Sequence, residues 1–132
     1  MLQITRQTEY AIRGLQELAR RNDAAPVQLK VIAGACEVSE AFLAKIFQML
    51  GQAGIVKSHR GVKGGFSLGR PAEEITLRDV VEICEGGIVL NHCLRSVNPC
   101  KDVGNCAVAS VWQDAQDALT GALDRANLAD VM

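Results

Sequence analysis

Leu29-Lys-Val-Ile-Ala-Gly-Ala-Cys-Glu-Val-Ser-Glu-Ala-Phe-Leu-Ala-Lys-Ile-Phe-Gln48 carries apolar residues at Ile32, Cys36, Val38, Leu43 and Ile46, with the small Ala33 beside Ile32. These spacings suit two short helices that cross at a tight turn. The first packs through Ile32, Ala33 and Cys36, Val38 plugs the corner, and the second packs through Leu43 and Ile46. That is helix-turn-helix spacing. Ser39 is a natural N-cap for the second helix. Glu37 stands near the place where such turns commonly have glycine, and Gly51 and Gly54 close the second helix.

Outward from this segment, Thr5 to Arg21 forms a helical stripe through Ala11, Ile12, Leu15, Leu18 and Ala19, with Thr5 as N-cap, and Asn22 to Pro26 breaks it. On the other side, Ile55 to Arg70 places two short runs, around Val56 and Phe66-Ser-Leu68, about the glycine-rich turn Gly61 to Gly65. This predicts a hairpin. A hairpin after a helix-turn-helix is a wing. It carries Lys57, His59, Arg60, Lys63 and Arg70 and no acid. The bland alternative is a solvated edge strand blunted by its charges.

The net charge of −1 conceals a division. Residues 1–70 hold 10 Lys and Arg against 5 Asp and Glu, and residues 71–132 hold 4 against 10. The basic half suits phosphate, and the acidic half should face away from a polyanion.

After Pro71, Thr76 to Glu85 reads as a short helix with Leu77, Val80, Val81 and Cys84 inward, stopped by Gly86-Gly87. Then three of the five cysteines, Cys93, Cys100 and Cys106, share one loop with the turn formers Asn98-Pro99 and Gly104-Asn105. The gaps of six and five residues are too long for zinc knuckles and do not match ferredoxin spacing. Three soft ligands favour zinc or iron–sulfur and leave one position open. A last helix, Ala107 to Arg125, has a seam of Val108, Val111, Ala115, Ala118 and Ala122 beside a second row of Trp112, Leu119 and Leu123. One surface can serve its own chain and the other a second copy.

The predicted fold class is mainly α: a winged helix-turn-helix with a two-stranded β wing and a long C-terminal dimerisation helix. Its boundaries are 1–75 for the DNA-binding region and 76–132 for the cysteine loop and dimerisation helix. No apolar run is long enough to span a bilayer, and nothing marks the amino terminus for export, so a cytoplasmic location is expected. No phosphate-binding loop, nucleophile elbow or metal-binding histidine pair points to an enzyme.

Thr8-Glu9-Tyr10-Ala11, the helix-turn-helix, the wing Arg60-Gly61-Val62-Lys63-Gly64-Gly65, Leu77-Arg78-Asp79-Val80-Val81, the cysteine loop and the closing Leu128-Ala129-Asp130-Val131 together resemble the Rrf-two family of IscR/NsrR-like regulators. The resemblance implies a homodimer that binds an imperfect palindrome in double-stranded DNA. It also implies one iron–sulfur cluster per subunit on Cys93, Cys100 and Cys106, whose state sets DNA affinity. One branch of the family adds a histidine three residues after the last cysteine, where this chain has Ala109. A four-iron (4Fe-4S) cluster is therefore favoured over a two-iron (2Fe-2S) one. A nitric-oxide-sensing branch takes a carboxylate from the partner's first helix, which makes Glu9 the candidate fourth ligand, ahead of His92. Ser39, Glu40, Ala41 and Lys45 on the recognition helix and His59, Arg60, Gly61, Lys63 and Gly64 on the wing are the candidate DNA contacts. Family members that read bases with a carboxylate at the position of Ala44 have a side chain that is missing here. Cys36 and Cys84 read as core thiols. The rival readings are a zinc- or thiol-based DNA-binding regulator without a cluster, and a small iron–sulfur electron-transfer protein.

Overall fold

The structure, a computed structural model, describes residues 3–21, 25–95, 100–102 and 104–132. Helix α1 spans Arg6–Arg21, α2 Leu29–Cys36 and α3 Glu40–Gln52; strands β1 Val56–His59 and β2 Gly65–Leu68 follow, then α4 Leu77–Glu85 and α5 Ala109–Arg125. Three single 3-10 turns, Ala72–Glu74, His92–Leu94 and Leu128–Val131, link or end these elements.

The helix-turn-helix forms where the apolar spacing places it. Glu37 ends α2 in the left-handed region, at φ 55° and ψ 46°, and the Val38 N–H then donates to the Ala33 carbonyl at 3.0 Å. This is the bend that glycine commonly serves. Ser39 Oγ accepts from the Phe42 N–H at 3.2 Å and starts α3. The helix ends at Gln52, between Gly51 and Gly54, with Gly54 in the left-handed region at φ 79°, and Phe47 and Leu50 extend its buried face beyond Leu43 and Ile46.

Phe47 is wholly buried and joins three pieces. Its ring meets Phe66 of the wing edge to face, with centroids 5.1 Å apart. On the other side it lies against Gly14 of α1, where an added Cβ would sit 2.7 Å from Phe47 Cε1. The wing is an antiparallel pair running from Val56 opposite Leu68 to His59 opposite Gly65. Val27 and Phe66 exchange both backbone hydrogen bonds at 2.8 Å, which pins β2 of the wing to the chain just ahead of α2.

Thr76 caps α4 in a reciprocal capping box with Asp79, and Gly86 ends the helix in the left-handed region. The end of the chain zips to the start of α4: the Leu77 N–H donates to the Ala126 carbonyl, the Leu128 N–H to that of Ile75, and the Leu128 side chain is wholly buried. Helix α5 begins at Ala109, two residues later than the pattern suggests. Its seam is open: Val111 is 55% and Trp112 39% exposed, and Ala115, Ala118 and Ala122 are exposed as well. No helix among the described residues is long and apolar enough to cross a membrane.

The start of α1 is bound to the end of α4. Thr5 donates to Glu85 Oε1 from its N–H at 3.1 Å and its hydroxyl at 2.7 Å, and the Thr8 hydroxyl donates to the same oxygen. Gln7 Nε2 donates to the Cys84 carbonyl at 3.1 Å and lies 3.5 Å from Met49 Sδ on α3. The Thr8 hydrogen bond, with help from Thr5, lowers the Glu85 carboxyl below its ordinary range against a smaller opposing effect of burial.

Two stability measurements follow from these contacts. Glu37→Gly relieves a left-handed side chain and raises the free energy of unfolding in urea by about 1 kcal/mol; a loss of stability would contradict that account of the turn. Glu85 stabilises while it is ionised, so its contribution is complete above the usual carboxylate range and is lost as the pH falls through its lowered value. The melting temperature of the wild type should drop more steeply below about pH 4 than that of Glu85→Gln, and superimposable profiles would show that the carboxylate does not hold the two helices.

Candidate nucleic-acid interface and cysteine loop

Burying Leu43, Ile46, Phe47 and Leu50 leaves the opposite face of α3 in solvent. Ser39, Glu40, Ala41, Ala44, Lys45 and Gln48 are all exposed there. The sequence reading did not include Gln48, although it lies one helical turn beyond Ala44 and Lys45 on the same face. A groove between this face and the wing is lined by Ala44, Gln48, Gln52, Lys57 and His59.

On the wing, His59, Arg60, Gly61 and Lys63 are exposed, and His59 Nε2 pairs across the strands with Ser67 Oγ at 2.8 Å. Gly64 is different. It is buried inside the turn, its N–H donates to the Gly61 carbonyl at 3.0 Å, and a Cβ there would collide with the His59 carbonyl oxygen. Its part is to shape the turn rather than to present a contact. Among the described residues no carboxylate pairs with Lys45, Lys57, Arg60 or Lys63, whereas Arg70 is held 3.8 Å from Asp79. Lys45 on the recognition helix and Lys57, Arg60 and Lys63 on the wing thus offer cations free of ion pairs on adjoining surfaces.

The cysteines of the loop are free thiols. Cys93 lies half-buried in the 3-10 turn His92–Leu94, started by the Asn91 side chain accepting from the His92 N–H at 2.8 Å. Cys100 is half-buried and Cys106 exposed, just ahead of α5. The Leu90 N–H donates to Gln116 Oε1 at 2.9 Å, tying the start of the loop to α5. The expected turn at Asn98-Pro99 lies outside the described residues. Among the described residues no three His, Cys, Asp or Glu side chains gather where a metal could sit, so Cys93, Cys100 and Cys106 are not brought together. The donor chemistry nevertheless suits a thiophilic group: three unpaired thiols on irregular backbone, with no disulfide competing for them.

Glu9 is half-exposed and ion-paired with Arg13 at 2.5 Å, and the Arg13 guanidinium lies over the Tyr10 ring, 5.2 Å from its centroid. His92 is exposed. Cys36 and Cys84 are apart from the loop. Burial raises both thiols above their ordinary value, with a hydrogen bond from Thr8 partly offsetting this at Cys84, so both stay protonated and unreactive.

Comparison with known proteins agrees with this geometry. The Rrf2 family, described as iron-dependent transcriptional regulators, matches residues 4–132. Protein aau3 of Rhizobium meliloti is 36% identical over 99% of this chain and 85% of its own length. The HTH-type transcriptional regulator IscR of Escherichia coli is 28% identical over 99% of this chain and 80% of its own length. Among solved structures, CymR, the global cysteine regulator of B. subtilis, superposes with a TM-score of 0.80 at 33% identity, covering 99% of this chain and 96% of that one. The chain belongs to the Rrf2 family of transcriptional regulators, which bind DNA.

Proposed function

We propose that this regulator works as a homodimer on a two-fold, imperfectly palindromic DNA site and that an iron–sulfur cluster on Cys93, Cys100 and Cys106 controls its affinity. The observation that carries the proposal is the placement of three free thiols on one loop between the end of α4, which is fastened to α1, and the start of α5. Bound there, a cluster would supply a redox- and nitric-oxide-sensitive group. The chain's own residues do the rest.

To ligate together, the three thiols must converge, which requires the loop to close. Such convergence would act on Gly86-Gly87 and on Gln116 of α5, two of the loop's attachments among the described residues. From there Glu85 and Gln7 pass the displacement to α1 and to Met49 on the recognition helix. The open apolar seam of α5 supports pairing with a second copy, so a tilt of α5 would change the spacing of two recognition helices. Ala109, nearly buried, offers no donor at the position of the two-iron branch's histidine, which supports four irons rather than two. Glu9 becomes a fourth ligand from the partner's side only by leaving Arg13. Ser39, Glu40, Ala41, Lys45 and Gln48 then meet the major groove, while His59, Arg60, Gly61 and Lys63 meet the adjacent minor groove.

A second reading keeps the DNA contacts but makes the loop thiols themselves the sensor. It is favoured by the likeness to CymR, named for cysteine regulation. The two readings part on one preparation. Purified without oxygen, the full chain should carry iron, acid-labile sulfide and visible absorption, and Cys100→Ala should lose all three while keeping its helical content. Colourless, iron-free wild-type protein that binds DNA would overturn the cluster and leave the thiol reading.

A further inference from the structure

The wing carries one side chain that its charges do not explain. Val62, at the hairpin tip, is 95% exposed, more than any other large apolar residue among those described. Several of the exposed apolar residues lie along α5, where a second copy would cover them; Val62 has no such neighbour. It contributes nothing to the core, and as a β-branched residue it holds few rotamers. The turn that presents it is fixed by backbone. The Gly64 N–H closes on the Gly61 carbonyl, Gly61 takes φ 103°, and Gly64 is packed too tightly against the His59 carbonyl to accept a side chain. The tip is therefore a small, preorganised apolar point, flanked in sequence by Arg60 and Lys63, for which no carboxylate partner exists among the described residues.

An apolar point between two cations fits one surface chemically: a groove with phosphate rims and walls of deoxyribose C–H. The minor groove has that construction, and its width varies with sequence, narrowest in A-tracts. Cations alone read only the potential at the rims. A rigid methyl pair inside the groove touches both walls when the groove is narrow and one when it is wide. Valine is also shorter than the Phe, Leu, Ile or Met wedges that unstack base steps, so the contact is with the walls and needs no kink.

We propose that Val62 is a specificity-determining residue of the DNA interface, making apolar contact with the walls of the minor groove so that the wing favours narrow, A·T-rich flanks. This rests on the reading that the wing lies against DNA. It adds a preference at base pairs that the recognition helix does not reach.

The test uses full-length protein and duplexes that it selects from a random pool, remade with identical central sequences and either A-tract or G·C flanks. Affinities are measured by fluorescence anisotropy over a range of salt. Val62→Thr keeps the shape and removes one methyl's worth of apolar contact; at this exposure it leaves the melting temperature unchanged. It should weaken binding to the A-tract duplex by roughly three- to fivefold per wing, the loss expected for one buried apolar group. The G·C duplex should be much less affected, and the slope of log affinity against log salt should not change, because no charge is removed. Arg60→Ala should weaken both duplexes and reduce that slope by about one. If Val62→Thr binds both duplexes as the wild type does while Arg60→Ala weakens both, the wing touches DNA but Val62 does not read it, and the proposal fails. If the double variant Arg60→Ala, Lys63→Ala also binds both as the wild type does, the wing is not at the DNA, and the reading beneath the proposal fails with it.

Discussion

Phe47 holds the DNA-binding half in register. Its ring fills the space that Gly14 leaves on α1, meets Phe66 on β2 of the wing, and sits on the same helix as the exposed Ala41, Lys45 and Gln48. The recognition helix and the wing must present their charges to one duplex at a fixed separation, and a close-packed contact between them is what makes that separation fixed. Truncating such a ring costs on the order of 3–5 kcal/mol, a large part of what a domain of this size has in reserve. The paired Val27 and Phe66 backbones add a second restraint from the opposite side of the wing.

The two halves of the chain differ in how strongly they are specified. Around Phe47 the structure is redundant: buried side chains from α1 to α4 and from the last turn form one core. Between Gly87 and α5 the restraints among the described residues are fewer: a capped 3-10 turn that packs on α5 and the hydrogen bond from Leu90 to Gln116 are the main ones. In the proposed function a ligand that gathers the thiols would act on this lightly held segment, and its effect would reach the rigid half where α1 is fastened to Glu85 and Cys84. The proposed sensing would use this division, because a change at the loop is useful only if it moves the DNA-reading helices as a unit.

Much of the architecture was legible in the sequence, for local reasons. Ser39 and Thr76 act as caps through bonds to residues three positions away, and the glycines of the wing mark a turn whose geometry only glycine fills. The end of α3 was marked by Gly51 and Gly54, but the partners of Phe47 on α1 and the wing were not legible, because no local pattern reveals them. The same limit hid Gly64, whose exposure depends on the path of the turn, and the Thr5, Thr8 and Glu85 cluster, whose members lie about eighty residues apart. For the cysteine loop, spacing names the donors but not their arrangement. Among the described residues the three thiols do not form one cluster, and no local pattern tells how far apart they stand.

Control of DNA affinity by the loop is most directly tested by comparing dissociation constants of cluster-loaded and cluster-stripped protein for one selected duplex at matched salt. The account predicts a difference of at least about fivefold, equivalent to 1 kcal/mol or more of coupling. Equal constants would contradict it, whatever the iron content of the loaded sample.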